Sequence, residues 1–197
     1  MKKLFVSIYK EALLLVRDIE GVLVMFIMPL FLVVIIALYE KLTAFENLYY
    51  FGRLYGIDKK ILNDRIDFFL ERLGLLKYKH AKIKSFSGGM KRRINLIAGV
   101  LHKPEILILD EPVVGVDVQS RNVIREFLME LNSDNTSIIY TSHMMEDIEI
   151  LCNKISIIDY GELVENDISP KEIVAKYDNC NSLEEVFLHL TGQKLRD

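Results

Sequence analysis

The stretch EILILDEP, residues 105–112, decides the fold class of this 197-residue chain. Four apolar residues lead into two adjacent acids, Asp110 and Glu111, and the proline that follows interrupts the pattern. A short, continuous apolar run bounded in this way is typical of a strand of a parallel sheet that is buried on both faces. We therefore expect a strand that ends at Asp110.

Two further apolar runs, at residues 136–143 and 154–161, predict two more strands of the same sheet. Helical patterns cover Val118 to Leu131 and Met144 to Cys152 between the runs. Strands that alternate with helices indicate an α/β fold. The expected architecture is therefore a parallel sheet with its helices, preceded by a region of helices only.

That region begins near Leu42 and is charged and aromatic. Asp58 is expected to cap a helix over Ile61 to Leu73, with Gly74 ending it. Phe68, Phe69 and Leu73 are predicted to form its buried side.

The composition narrows the classes of function. Net charge is −3, so no excess of Lys and Arg indicates a nucleic-acid-binding surface. Cys152 and Cys180 lack both zinc-ligand spacing and the density of a disulfide-rich fold, and we expect them to be reduced thiols.

The apolar residues are concentrated near the start. No charged residue occurs from Gly21 to Tyr39, a length of roughly 28 Å as a helix, which is close to the bilayer hydrocarbon thickness. We predict a transmembrane helix over residues 21–40, with a buried soluble helix as the alternative. Residues 1–20 carry an apolar face and predict an amphipathic helix on the membrane surface.

Three side chains are candidates for phosphate chemistry, because ligands of open α/β sheets bind at the carboxyl ends of the strands. Asp110 suits a Mg²⁺ ligand, and Glu111 suits a base that orients or deprotonates the attacking water. His143 ends the next strand and could donate a hydrogen bond to a terminal phosphate. Taken singly, the acids could instead cap the following helix, and the histidine could be structural.

The sequence SGGM, residues 87–90, precedes an apolar helical pattern. Ser87 can cap that helix, whose N-terminus offers free amides and a partial positive charge. Gly88 and Gly89 would allow a phosphate to approach those amides. The basic residues at 91–93 are predicted to be a solvated face.

In this order the motifs resemble the ATP-binding cassette of ABC transporters, over residues 42–197. SFSGGM resembles the signature loop, and ILILDE, with Asp110 and Glu111, resembles the Walker B strand. GVD resembles the D-loop, with Asp117, and His143 takes the place of the switch histidine. The first forty residues resemble the start of an exporter permease.

The resemblance implies a partial P-loop NTPase-like fold and a function in ATP hydrolysis that drives transmembrane export. It implies ATP and Mg²⁺ as cofactors, with Glu111 and His143 catalytic and Asp110 the metal ligand. Ser87, Gly88, Gly89 and Asp117 would contact nucleotide in a head-to-tail pair with a second cassette. The partners would be permease subunits in the cell membrane, with the cassette on the cytoplasmic side and no nucleic acid bound.

One family motif has no counterpart in the sequence. No G-x-x-x-x-G-K-[ST] phosphate-binding loop occurs, so we expect that the chain does not hydrolyse ATP alone. Three alternatives stay open: a membrane-anchored, non-catalytic partner that lends its signature loop to a complete cassette, a non-functional fusion remnant, and the ATPase head of a chromosome-maintenance protein. The apolar segment and the absence of heptad repeats argue against the last of these.

Overall fold

The computed structural model of the protein describes residues 38–192. Its helices and strands in chain order are α1 Ala44–Leu54, α2 Lys59–Arg72, α3 Gly88–Val100, β1 Ile106–Asp110, α4 Val118–Ser133, β2 Ser137–Thr141, α5 Met145–Leu151, β3 Ile155–Asp159, β4 Glu162–Ile168, α6 Pro170–Lys176 and α7 Leu183–Thr191. Short 3₁₀ turns at Leu76–Tyr78 and Ile83–Ser85 connect α2 to α3.

The helices begin where their capping residues predict. Thr43 and Glu46 form a capping box at the start of α1, and Asp58 accepts a hydrogen bond from the Lys60 backbone N–H at the start of α2. Gly74 follows α2 with φ +68°, a conformation that glycine adopts without steric cost. The predicted cap at Asp58 and the predicted stop at Gly74 are confirmed.

The strands form two separate two-stranded sheets within residues 38–192. Strands β1 and β2 are parallel, with Asp110 opposite Thr141, as predicted. The third predicted strand, β3, does not join them. It pairs antiparallel with β4 through a tight turn at Tyr160 and Gly161, both of which have positive φ, the backbone that two-residue hairpin loops favour. The expectation of one parallel sheet with three strands is therefore wrong for the described residues.

The expectation that the strands are buried on both faces is also wrong. One face of β1 and β2 packs on the helices, with Leu107 buried in the core. On the other face Ile106, Ile108 and Ile139 are 62%, 69% and 54% exposed. Side chains alternate between faces along a strand, so helices on one side cover only every second residue.

Two hydrophobic clusters hold the described residues together. The larger cluster joins α1 to α4 with β1, and the smaller one joins β3, α6 and α7. Phe69 in α2 and Leu73 directly after it are buried, as predicted, but Phe68 is 60% exposed. Phe68 lies about 100° around the helix from Phe69, outside the stripe of buried residues at Leu62 and Ile66.

The predicted transmembrane segment at 21–40 lies almost wholly outside the described residues, as does the amphipathic segment at 1–20. Its last three residues, 38–40, are not helical: Leu38 packs against the larger cluster and the Tyr39 backbone N–H donates to Asn47 Oδ1 at 2.8 Å. The membrane helix over residues 21–40 therefore stays a prediction, of which the structure describes only these last residues. Within residues 38–192 no helix has both the length and the apolar character needed to cross a bilayer.

The neighbours Phe68 and Phe69 provide a matched test of this core. Phe69→Ala should lower the free energy of unfolding by about 3–5 kcal/mol, because its buried ring packs edge-on against Phe127. Phe68→Ala should cost less than about 1 kcal/mol, as is usual for an exposed side chain. Urea denaturation of both variants checks this, and equal losses would contradict the placement of α2.

Candidate functional site

The first group of candidate residues lies at the carboxyl ends of β1 and β2. Because Asp110 is in register with Thr141, the residues that follow each strand meet at one edge. The Thr141 hydroxyl donates to Asp110 Oδ1, and the Glu111 backbone N–H donates to the Thr141 carbonyl at 3.1 Å. The sequence prediction that Asp110, Glu111 and His143 share one edge of the sheet is confirmed.

Glu111 and His143 are in direct contact. Glu111 Oε1 lies 2.7 Å from His143 Nδ1 and also accepts the His143 backbone N–H at 3.2 Å. The other carboxylate oxygen, Oε2, is buried and has no hydrogen-bond partner among the described residues. Glu111 has φ +46°, so its backbone adopts the left-handed conformation that favours glycine.

This contact fixes how the imidazole presents its nitrogens. An ionised carboxylate only accepts hydrogen bonds, so an ionised Glu111 would accept a hydrogen bond from a protonated Nδ1 of His143 in this contact. Nε2 is then directed away from Glu111 on a side chain that is 71% exposed. Protonation of the ring would make Nε2 a donor, which is the form that suits a phosphate oxygen.

The second group lies at the N-termini of α3 and α4. Ser87 caps α3 and accepts the Met90 backbone N–H at 3.3 Å, which confirms the predicted cap. Asp117 caps α4 and accepts the Ser120 backbone N–H at 2.9 Å. Hydrogen bonds from the Ser120 backbone and hydroxyl hold the pKa of the Asp117 carboxyl below its usual value, and the Arg93 charge adds to this effect.

The two glycines of this group have different environments. A Cβ at Gly89 would lie 2.7 Å from Ser120 Oγ and 2.9 Å from Asp117 Oδ2, whereas a Cβ at Gly88 would meet no atom within 4 Å. Gly89 is thus needed because the start of α4 packs against it. Of the pair, only Gly88 leaves open space beside the free amides of α3.

Arg92 and Arg93 have structural contacts that the sequence prediction missed. Arg92 Nε donates to the Pro112 carbonyl at 2.7 Å, and its Nη2 donates to the Glu111 carbonyl. Arg93 Nη1 donates to the Leu73 carbonyl at 2.8 Å, and burial lowers the pKa of its guanidinium. For both residues the predicted solvated face is wrong. The sequence did contain a signal for these contacts. Cations near a helix N-terminus are unfavourable beside the positive end of the helix dipole, so other partners could have been expected for Arg92 and Arg93.

Arg92 therefore joins the two groups, because it belongs to α3 and holds the turn that contains Glu111. Glu111 contacts His143 in the first group. In the second group, Gly89 leaves no room for a side chain beside Asp117 and Ser120. No contact described in residues 38–192 joins Ser87 directly to Glu111.

The residues at the strand ends fit a magnesium ion only in part. Within residues 38–192, no three His, Cys, Asp or Glu side chains are grouped as a metal site. Mg²⁺ is commonly held through one or two carboxylates, with phosphate oxygens and water completing its shell. Asp110, whose Oδ1 accepts only the Thr141 hydroxyl, fits that minimal arrangement beside a nucleotide.

Residues 34–114 match the sequence model of the ABC transporter family. The chain is 49% identical over 148 residues to the linearmycin resistance ATP-binding protein LnrL of Bacillus subtilis, covering 75% of this chain and 45% of that protein. It is 37% identical over 127 residues to the ABC transporter ATP-binding protein NatA of the same organism, covering 64% of this chain and 52% of that protein. The chain therefore spans about half the length of these relatives.

A third relative is the Nod factor export ATP-binding protein I of Cupriavidus pinatubonensis, 33% identical over 142 residues, which are 72% of this chain and 43% of that protein. The fold is similar to a solved structure described as the ATP binding subunit of an ABC transporter, with a TM-score of 0.69 and 24% identity over 78% of this chain and 64% of that one. These similarities in sequence and fold indicate an ABC transporter ATP-binding cassette, with the α/β fold of that class.

The glycine pair gives a matched test of the second group. Gly89→Ala should lower the free energy of unfolding by about 1–3 kcal/mol, because the new methyl group would displace Ser120 and Asp117. Gly88→Ala should leave it unchanged or raise it by up to about 1 kcal/mol, since alanine favours helix and meets open space. Thermal unfolding compares the two, and a destabilised Gly88→Ala would contradict this arrangement.

Proposed function

We propose that the chain acts as an ABC transporter ATP-binding protein, whose family role is to bind and hydrolyse ATP and so drive export across a membrane. The observation that carries this proposal is the contact between Glu111 and His143 at the carboxyl edge of β1 and β2. The name of one relative, the Nod factor export ATP-binding protein I, favours an exporter. The cargo would depend on the permease subunits.

The strand-end residues would take distinct roles. Bound Mg²⁺ would neutralise phosphate charge, and Asp110 would hold it, directly or through water. Glu111 would orient and deprotonate the attacking water. His143, held through Nδ1, would present Nε2 to the terminal phosphate.

The helix ends would bind a nucleotide held by another subunit. Ser87 and the free amides of α3 beside Gly88 offer hydrogen bonds and a partial positive charge to a γ-phosphate. Gly89 and Asp117 would set the spacing between α3 and α4. Because the sequence contains no phosphate-binding loop, we propose a head-to-tail pair with a second cassette, beneath permease subunits on the cytoplasmic side of the membrane.

Complementation tests the hydrolytic role. The chain alone should show no MgATP turnover. We expect turnover when it is mixed with the part of the Bacillus subtilis linearmycin resistance protein that has no counterpart in this chain. Glu111→Gln should reduce that turnover by about 10²–10⁴-fold, the contribution of a general base. Glu126→Gln, an exposed glutamate on α4, is the matched control.

Two outcomes would contradict this part of the proposal. Turnover by the chain alone that Glu111→Gln abolishes would show that no further subunit is needed. Turnover in the mixture that is insensitive to Glu111→Gln would remove Glu111 from the reaction.

A second candidate function is a non-catalytic partner that supplies only its signature loop to a complete cassette. The open space at Gly88, beside the capped start of α3, favours it. This candidate needs the α3 end but not Glu111.

Both candidates need Ser87, and only the first needs Glu111. Co-purification with a complete cassette in MgATP should be lost in Ser87→Arg, because a long cation would fill the phosphate position. Ser133→Arg, at an exposed serine near the end of α4, should leave it unchanged. Absence of co-purification by the unaltered chain, together with no complemented turnover, would leave the fusion remnant as the better description.

A further inference from the structure

A buried ion pair connects helix α4 to the start of helix α5. Arg125 Nε in α4 donates to Asp147 Oδ1 in α5, and Arg125 Nη2 contacts the same oxygen. Arg125 Nη1 also donates to Glu146 Oε1 at 3.2 Å. Arg125 is 8% exposed and Asp147 is fully buried, whereas the Glu146 side chain is 66% exposed. The contact inside the protein is therefore the one between Arg125 and Asp147.

The charges of this pair depend on each other. Burial disfavours the charge of Arg125, but its hydrogen bonds to Glu146 and Asp147 outweigh burial and raise the pKa of the guanidinium. The second carboxylate oxygen of Asp147, Oδ2, is buried and has no hydrogen-bond partner among residues 38–192. A buried charge without a partner is strongly unfavourable. Without Arg125, an ionised Asp147 would therefore not be stable in this position.

Helix α5 has few other directional contacts at its start. It contains seven residues, and Met144 at its N-cap makes no side-chain hydrogen bond. Isolated helices shorter than about 12–15 residues are marginal in water. Met145 and Ile148 pack against the smaller hydrophobic cluster, but the hydrophobic effect is non-directional. The ion pair is therefore the contact that can fix how the first turn of α5 is oriented.

The first turn of α5 is bonded to the residues on both sides of His143. Met144 directly follows His143, and its carbonyl accepts the Asp147 backbone N–H at 3.1 Å. The Met144 backbone N–H donates to Ser142 Oγ at 3.0 Å. A displacement of Asp147 would therefore move the backbone from which the imidazole of His143 extends.

We propose that Arg125 is a positioning residue for His143 and acts through Asp147. Glu111 then holds the imidazole at Nδ1, while α4 holds the backbone beside it. Buried ion pairs often add little stability relative to apolar residues of similar volume, and in some proteins they specify one arrangement instead. The role in turnover rests on the proposed function, but the placement of the ring can be measured without nucleotide.

Nitrogen NMR of the full chain, with ¹⁵N-labelled histidine, tests this placement. The hydrogen bond made by one ring nitrogen sets which nitrogen carries the proton. Arg125→Met combined with Asp147→Leu removes the pair without leaving a buried charge, so the fold should be retained. At neutral pH the Nδ1-protonated form of His143 should decrease in this double variant to the level found in Glu111→Ala.

Arg72→Met combined with Glu130→Leu is the matched control. It removes another ion pair of α4, whose side chains are 45% and 41% exposed, and it should leave the His143 signals unchanged. His143 signals in the first double variant that match those of the unaltered chain would overturn the proposal. So would an equal change in the control.

Complemented turnover separates this inference from the proposed function. In the complemented mixture, the Arg125→Met, Asp147→Leu variant should lower kcat by about 10–10²-fold, the cost of a misplaced catalytic group. KM for ATP should stay unchanged, since neither residue is a candidate nucleotide contact. An unchanged kcat, or a lower kcat with unaltered His143 signals, would remove the positioning role. Absence of turnover by the unaltered mixture would contradict the proposed function, and the NMR result would still decide the placement of His143.

Hydrogen exchange serves as the test if the double variant does not fold. Asp147→Asn keeps the shape of the side chain and leaves Arg125 paired with Glu146. Loss of the charge-assisted bond should speed exchange in residues 144–151 by roughly tenfold, because local opening becomes easier. Exchange in α2 should stay as it is in the unaltered chain. No change in α5, or an equal increase in both helices, would overturn the proposal.

Discussion

The guanidinium of Arg92 is the constraint on which the candidate site depends. It donates to the carbonyls that follow β1 and so fixes the turn containing Glu111 against helix α3. Partly buried backbone carbonyls require partners, and a charged donor forms stronger hydrogen bonds to them than a neutral one. The position of the Glu111 carboxylate, and through it the His143 ring, thus follows from a residue with no chemical role of its own.

The two glycines at residues 88 and 89 look equivalent in the sequence but have different roles in the structure. Gly88 and Gly89 both appear suited to a phosphate, yet Gly89 is required by the packing of Ser120 and Asp117. Two helix N-termini can lie this close only where one of them lacks a side chain. Gly89, which allows α3 and α4 to pack closely, and Gly88, which leaves room for a ligand, are therefore adjacent in the sequence.

The local signals in the sequence predicted much of the fold. Ser87 and Asp58 were predictable because capping depends on a residue and its next three neighbours. Strands β1 and β2 were predictable from their apolar runs, and their parallel pairing placed Asp110, Glu111 and His143 together. The buried face of α2 was predictable too. Leu62, Ile66, Phe69 and Leu73 repeat at helical spacing, and Phe68 lies outside that repeat.

The remaining features depend on residues far apart in the chain. Gly89 meets Ser120, thirty-one positions later, and Arg93 meets Leu73, twenty positions earlier. No local pattern encodes such pairs. The separate β3–β4 hairpin was missed for another reason, since β4 is polar and mostly exposed, and carries no apolar run to mark it.

The left-handed backbone of Glu111 sets the stability of the fold against the presence of a carboxylate at residue 111. A glycine at residue 111 would adopt φ +46° without the steric cost that a glutamate bears. Variants chosen for heat resistance alone would drift toward glycine and lose the carboxylate beside His143. In the proposed function, the carboxylate beside His143 would offset this conformational cost, as side chains at strained functional positions generally do.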